Sequence, residues 1–192
     1  MAADLLTISI DWYGPYQSLG DARRQGIASD LGEFLYLAYR TDGQSNSYVG
    51  LSSNVSSRLT SSHHVLGNWP VGSGQLWIGV IASQYEAGRK PFGSYSAHSG
   101  ELHFAEHMTA YFVETSDNVR KRTNRPDRSG VLLNRWFRGA APWKRHGHRP
   151  HPDWPDLIEY EANESLARIV WFGGRVSVLR DEQIAALRRD AS

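Results

Sequence analysis

At 192 residues, 40% of them hydrophobic and with seven Trp and nine Tyr, the chain is sized for one domain with extensions and has the apolar surface for a sizeable core, which excludes a largely disordered protein. There is no cysteine, so disulfides, thiolate zinc sites and cysteine nucleophiles are excluded, and no apolar run approaches the roughly 18 residues of a membrane span. The formal net charge is +1, and the start Met1-Ala2-Ala3-Asp4 lacks the charged and apolar stretches of a signal peptide, so a cytoplasmic protein is expected.

Leu5–Trp12 alternates through Leu6, Ile8, Ile10 and Trp12 and predicts a strand, with Gly14-Pro15 turning the chain after it. Ser18–Ala28 is a short helix with Ser18 as its cap. Phe34–Tyr39 predicts a second strand. The Asp-, Gly-, Asn- and Ser-rich Thr41–Ser47 returns the chain to Tyr48-Val49-Gly50, completing a hairpin. Ser52 or Ser53 can cap a helix holding Val55, Arg58 and Leu59. Gln75–Ala82 is a third strand, Leu102–Glu114 a helix, and the polar Arg120–Gly130 a loop. Leu157–Tyr160 and Ala167–Leu179, broken by Gly173-Gly174, predict a hairpin, and Asp181–Arg189 a terminal helix. The order implies an α+β domain with a small mixed or antiparallel three-stranded sheet, flanking helices, and a C-terminal β-hairpin and helix as an extension.

Charge is distributed unevenly. Between Asn118 and His151 stand ten Lys and Arg against the single acid Asp127, so this stretch carries +9 and the rest of the chain −8. Such segregation builds a positive field suited to a polyanion. Trp136, Phe137 and Trp143 lie inside the run, and aromatics among arginines suit phosphate contact with base stacking. The contacts expected are Arg120, Lys121, Arg122, Arg125, Arg138, Trp143, Lys144 and Arg145. His146, His148 and His151 have no regular ligand spacing, and read as phosphate contacts or surface residues.

Tyr48-Val49-Gly50-Leu51-Ser52, followed by Asn54-Val55 and then Arg58-Leu59, resembles the second half of the GIY-YIG nuclease motif and the helix after it. That pattern is Tyr, aliphatic, Gly, any residue, Ser, then Asn, aliphatic, two residues, Arg, Leu. Tyr36 falls at the family's first-tyrosine position, although Phe34-Leu35-Tyr36 replaces the literal triplet. The resemblance implies a GIY-YIG-like core over residues 32–134, between an N-terminal extension (1–31) and a basic, aromatic C-terminal extension (135–192). Asp11-Trp12-Tyr13-Gly14-Pro15-Tyr16 is also similar to a Trp-Gly-Pro opening that precedes this domain in some bacterial members.

The implied function is metal-dependent endonucleolytic cleavage of DNA. Hydrolysing a phosphodiester needs an activated water, neutralised phosphoryl charge and a stabilised leaving oxygen. Arg58 can fork onto phosphate oxygens, and Gly50 allows a ligand close to the backbone. Tyr36 or Tyr48, ordinarily titrating near 10, can serve as a phenolate base where an arginine and a metal lower that value. The resemblance implies Glu106, within Ala105–Phe112, as the one ligand of Mg²⁺ or Mn²⁺, with Glu101 its rival. It also implies a closing Asn, for which Asn134 is preferred because it follows a leucine as in the motif, although Asn118 fits the spacing better. A His or Lys is usual one turn after the arginine. Ser62 stands there, and His63 reaches the site only if the helix ends early. A double-strand cut from one site per chain requires two sequential events or a homodimer. The competing readings are a catalytically inactive nucleic-acid-binding module and a protein-interaction domain.

Overall fold

The computed structural model describes residues 6–42, 47–83, 99–113, 115–140, 144–180 and 182–184. In chain order the elements are β1 (Leu6–Tyr16), α1 (Leu19–Ala28), β2 (Phe34–Arg40), β3 (Ser47–Ser52), α2 (Val55–Arg58), β4 (Gly74–Ser83), α3 (Ser99–Phe112), α4 (Val119–Thr123), β5 (Gly130–Arg138), β6 (Leu157–Glu161), β7 (Leu166–Trp171) and β8 (Arg175–Arg180).

The expected three-stranded sheet is overturned: the eight strands form one mixed sheet in the order β3-β2-β4-β1-β5-β6-β7-β8. β1 and β5 run parallel, and every other neighbouring pair is antiparallel. The C-terminal hairpin is a three-stranded meander, joined to the rest through β5, so strands from residues 1–31, 32–134 and 135–192 share one ladder system. β1 runs through Gly14-Pro15 to Tyr16 instead of turning there. The segment expected as a loop from Arg120 includes the one-turn helix α4.

β5 lay concealed in the basic run. Its residues alternate in burial, with Leu132, Asn134 and Trp136 inside. Arg135, on the opposite face, donates from Nε to Asp11 Oδ1 at 2.6 Å. Burial pushes the Asp11 carboxyl up against the opposing pull of Arg135. The arginine that made this segment look solvated is therefore the partner of a buried acid.

Each face of the sheet carries a core. On one, Ile8, Ile10, Trp12, Leu35, Leu37, Val49, Leu132 and Trp136 pack with Leu102, Ala105 and Met108 of α3. Trp12 stacks on Trp136 at 5.9 Å, and Trp136 on Trp154 at 5.6 Å. On the other face, Tyr13, Phe34, Tyr36, Ala38, Tyr48 and Ile78 pack with Ala22, Val55, Leu59 and Leu66. Among the described residues no helix is long and apolar enough to cross a membrane.

Asn134 belongs to the first core. Its Oδ1 accepts from Trp12 Nε1 at 2.8 Å and its Nδ2 donates to the Pro155 carbonyl at 2.9 Å, with 2% of the residue exposed. Asn134→Ala leaves both buried groups without a partner, at about 1–3 kcal/mol each. The expected result is a loss of about 3 kcal/mol in urea unfolding. An unchanged midpoint would refute this bracing role.

Candidate active site

The hairpin β2–β3 places Tyr36 opposite Gly50, and Ala38 opposite Tyr48. Tyr36 and Tyr48 share a face, with ring centroids 5.9 Å apart. Gly50 makes this possible: a Cβ there would stand 2.3 Å from the Tyr36 hydroxyl. The missing side chain thus makes room for a tyrosine across the ladder, whereas the sequence suggested room for a ligand.

α2 is a single turn. Asn54, rather than Ser52 or Ser53, caps it: Asn54 Oδ1 accepts the Ser57 N–H at 3.0 Å, while Ser52 Oγ accepts the Asn54 N–H. Arg58, its last residue, reaches back over the Tyr36 ring. Arg58 Nε donates to the Tyr36 hydroxyl at 2.7 Å, and its Nη2 lies 3.5 Å from the Tyr48 hydroxyl.

The helix ends at Arg58, which is the condition under which His63 can reach the site. The chain curls back so that His63 Nδ1 accepts the N–H groups of Val65 and Leu66, at 3.2 and 3.0 Å. With Nδ1 an acceptor, the ring proton sits on Nε2, which donates to the Tyr36 hydroxyl at 2.8 Å. The exposed His64 stacks on His63 at 4.8 Å and meets the edge of Tyr48.

These contacts order the protons. Tyr36 oxygen receives Arg58 and His63, so its own hydrogen turns to Tyr48, whose ionisation that bond favours. Tyr36 is fully buried, and burial raises its pKa well above the usual tyrosine value despite Arg58. Burial also raises Tyr48, while Tyr36 and Arg58 pull it down and the charge of Glu106 pushes it up. Neither phenol is lowered in the free chain, because burial outweighs the adjacent arginine.

His63 is held neutral, its pKa lowered to about 4 by burial and then by Arg58 and His64. The unfolded chain takes up a proton there near pH 6.5 that the folded chain refuses until about pH 4. Stability therefore falls as pH drops through that window, by up to about 3 kcal/mol, and is unaffected above it. Denaturant midpoints at pH 7.5 and 4.5, compared between the wild type and His63→Asn, check this. Equal slopes with pH would refute it.

Glu106 stands apart from this hydrogen-bonded group. α3 lies on the other face of the sheet, but β3 is the last strand, so no further strand screens Glu106 from Tyr48. The carboxylate is 7% exposed and paired with Lys121 from α4. Glu101, the rival, occupies the first turn of the same helix. Among the described residues no three His, Asp or Glu form a cluster that could hold a metal ion. What is present suits a hard cation anchored by one carboxylate and completed by water and phosphate, as Mg²⁺ or Mn²⁺ accepts. The Lys121 ammonium is bonded to Oε2 of that carboxylate.

Of the two candidate asparagines, Asn134 is held in the opposite core, while Asn118 lies beside the hairpin. Asn118 Oδ1 accepts the Val49 N–H at 2.8 Å and its Nδ2 donates to the Val49 carbonyl at 2.7 Å. It thus mimics a neighbouring strand along the free edge of β3. Its spacing from the motif was the signal that pointed to it.

The basic run separates into parts. Arg135 and Arg149 are half-buried struts bonded to Asp11 and Asp156, and the exposed Arg128 donates to the Gly100 carbonyl. Arg125 donates to Ser165 Oγ. Arg120 is exposed on α4, whereas Arg138 lines a cleft with Arg24 and His146, near the exposed Lys144 and Arg145. Trp143 and the side chain of Arg122 lie outside the described residues.

No family model, curated protein or solved structure matches this chain.

Proposed function

We propose that this chain is a metal-dependent endonuclease that hydrolyses phosphodiester bonds in DNA. The observation that carries the reading is one arginine bonded to two facing tyrosines, with a neutral histidine on the first of them. Structural tyrosines need an apolar slot and one hydrogen-bond partner. Here Tyr36 oxygen takes two donors, and Arg58 has further N–H groups that can meet phosphoryl oxygens.

In this reading Tyr48 is the base. Burial raises its pKa, Tyr36 and Arg58 offset part of that rise in favour of the phenolate, and it lies on the edge strand. It takes the proton of a water, whose oxygen bonds to phosphorus as the P–O bond to the leaving sugar oxygen breaks. That oxygen then takes a proton from solvent. Arg58 holds the phosphoryl oxygens, while His63 and Arg58 fix the Tyr36 hydroxyl. A divalent ion on Glu106 would neutralise charge on the phosphate and the leaving oxygen. Arg120, Arg138, Lys144 and Arg145 supply backbone attraction, which weakens with salt.

The test is incubation of the purified chain with plasmid DNA and Mg²⁺ or Mn²⁺, then with EDTA. Cleavage is expected with metal, and none with EDTA or with Glu106→Gln. One observation favours a second reading, a catalytically inactive DNA-binding module: Lys121 already neutralises Glu106. Salt-sensitive DNA binding with no cleavage under either metal would establish that reading instead.

A further inference from the structure

Glu106 and Lys121 come from different helices, α3 and α4, and meet at the free-edge side of β3. A carboxylate that is 7% exposed must be paired to remain charged. Lys121 supplies that pairing while its own side chain is 35% exposed. It is a flexible four-carbon arm, compact in charge and able to swing outward, unlike the forked grip of an arginine. The neighbouring Arg120 is exposed, so an anion arriving here meets two cations from one short helix.

We propose that Lys121 is a resident counter-ion of Glu106 that a phosphate draws off. In the free chain the ammonium holds Oε2, one of the two oxygens that Glu106 can offer a divalent cation. When a phosphodiester is present, Lys121 moves to the phosphoryl oxygens and Glu106 is released to the cation. This rests on the endonuclease reading and adds an order of binding to it. An ammonium and a divalent cation on one carboxylate repel each other, so each weakens the hold of the other on Glu106. With no cluster of three metal-ligating side chains among the described residues, phosphate oxygens and water must complete the coordination.

The test measures Mn²⁺ affinity of the full chain directly, by electron paramagnetic resonance of the free ion. It is run with and without a short duplex carrying hydrolysis-resistant phosphorothioate linkages. Wild type is expected to bind Mn²⁺ weakly alone and at least tenfold more tightly with the duplex. Lys121→Met should bind at least tenfold more tightly than wild type without duplex, and gain little from it. Lys121→Arg, which grips the carboxylate through two N–H groups, should bind more weakly than wild type, and it covers the case in which Lys121→Met does not fold. Equal affinities for wild type and both Lys121 variants, all above Glu106→Gln, would overturn the exchange while leaving Glu106 as the ligand. No difference between wild type and Glu106→Gln, with or without duplex, would overturn the metal assignment and the exchange together.

Discussion

Arg58→Ala is expected to reduce DNA cleavage by about 10²–10³-fold, equivalent to about 2.7–4 kcal/mol of transition-state stabilisation, with a small change in stability. Among the described residues, Arg58 is the one side chain whose donors lie at both tyrosine hydroxyls, Nε at 2.7 Å from Tyr36 and Nη2 at 3.5 Å from Tyr48. Removing it withdraws charge from the phosphate and a donor from each phenol at once. Tyr36 keeps His63 as a partner at 2.8 Å, which is why folding should survive. Arg58→Lys is the sharper probe, because it retains charge but cannot hold two oxygens and a phosphate with one planar group. A drop of about 10²-fold is expected for lysine also. Activity within threefold of wild type would mean that Arg58 acts as a bulk charge and that the proposed geometry is irrelevant to cleavage.

Tyr48→Phe is expected to lose about 10²–10⁴-fold in rate, the range for removing a positioned acid or base, with a smaller fall in unfolding midpoint than Tyr36→Phe. Its hydroxyl meets Arg58 only at the limit of hydrogen bonding, and the one buried group that loses its acceptor is the Tyr36 hydroxyl. Tyr36→Phe should differ. It leaves Arg58 Nε and His63 Nε2 without their acceptor next to a fully buried ring, so it should both slow cleavage and destabilise the fold by about 1–3 kcal/mol. Rates and unfolding midpoints measured together separate the two roles. Since both phenols are raised, the wild-type rate should also climb with pH beyond neutrality. If Tyr48→Phe cleaves normally, Tyr48 is only packing, and the base must be sought elsewhere.

The hairpin and the meeting of its tyrosines with Arg58 were legible because they are local. Tyr36, Tyr48, Gly50 and Arg58 lie within 23 residues, and alternation along two adjacent strands puts both rings on one face. The role of Gly50 was less legible, since only the pairing Tyr36 opposite Gly50 shows that a ring fills its space. His63 depended on where α2 stops. That is decided by a one-turn helix capped at Asn54 and by backbone donors from Val65 and Leu66, none of which helical periodicity reports.

Alternation and turn residues along the chain were enough by themselves to determine β2, β3 and β4, the helices α1 and α3, and the order of the tyrosines, the arginine and the helical glutamate. These features depend on neighbours a few residues away. Tertiary structure alone decided that β5 joins β1 in parallel inside an eight-stranded sheet, that Arg135 serves Asp11, and that Asn134 braces Trp12. It also decided that Asn118 ties the edge of β3 and that Lys121 neutralises Glu106. The first three join residues more than 120 positions apart. For such pairs charge and polarity in the sequence read as solvent exposure, because burial with a partner is set by the packing of both segments and by neither one alone.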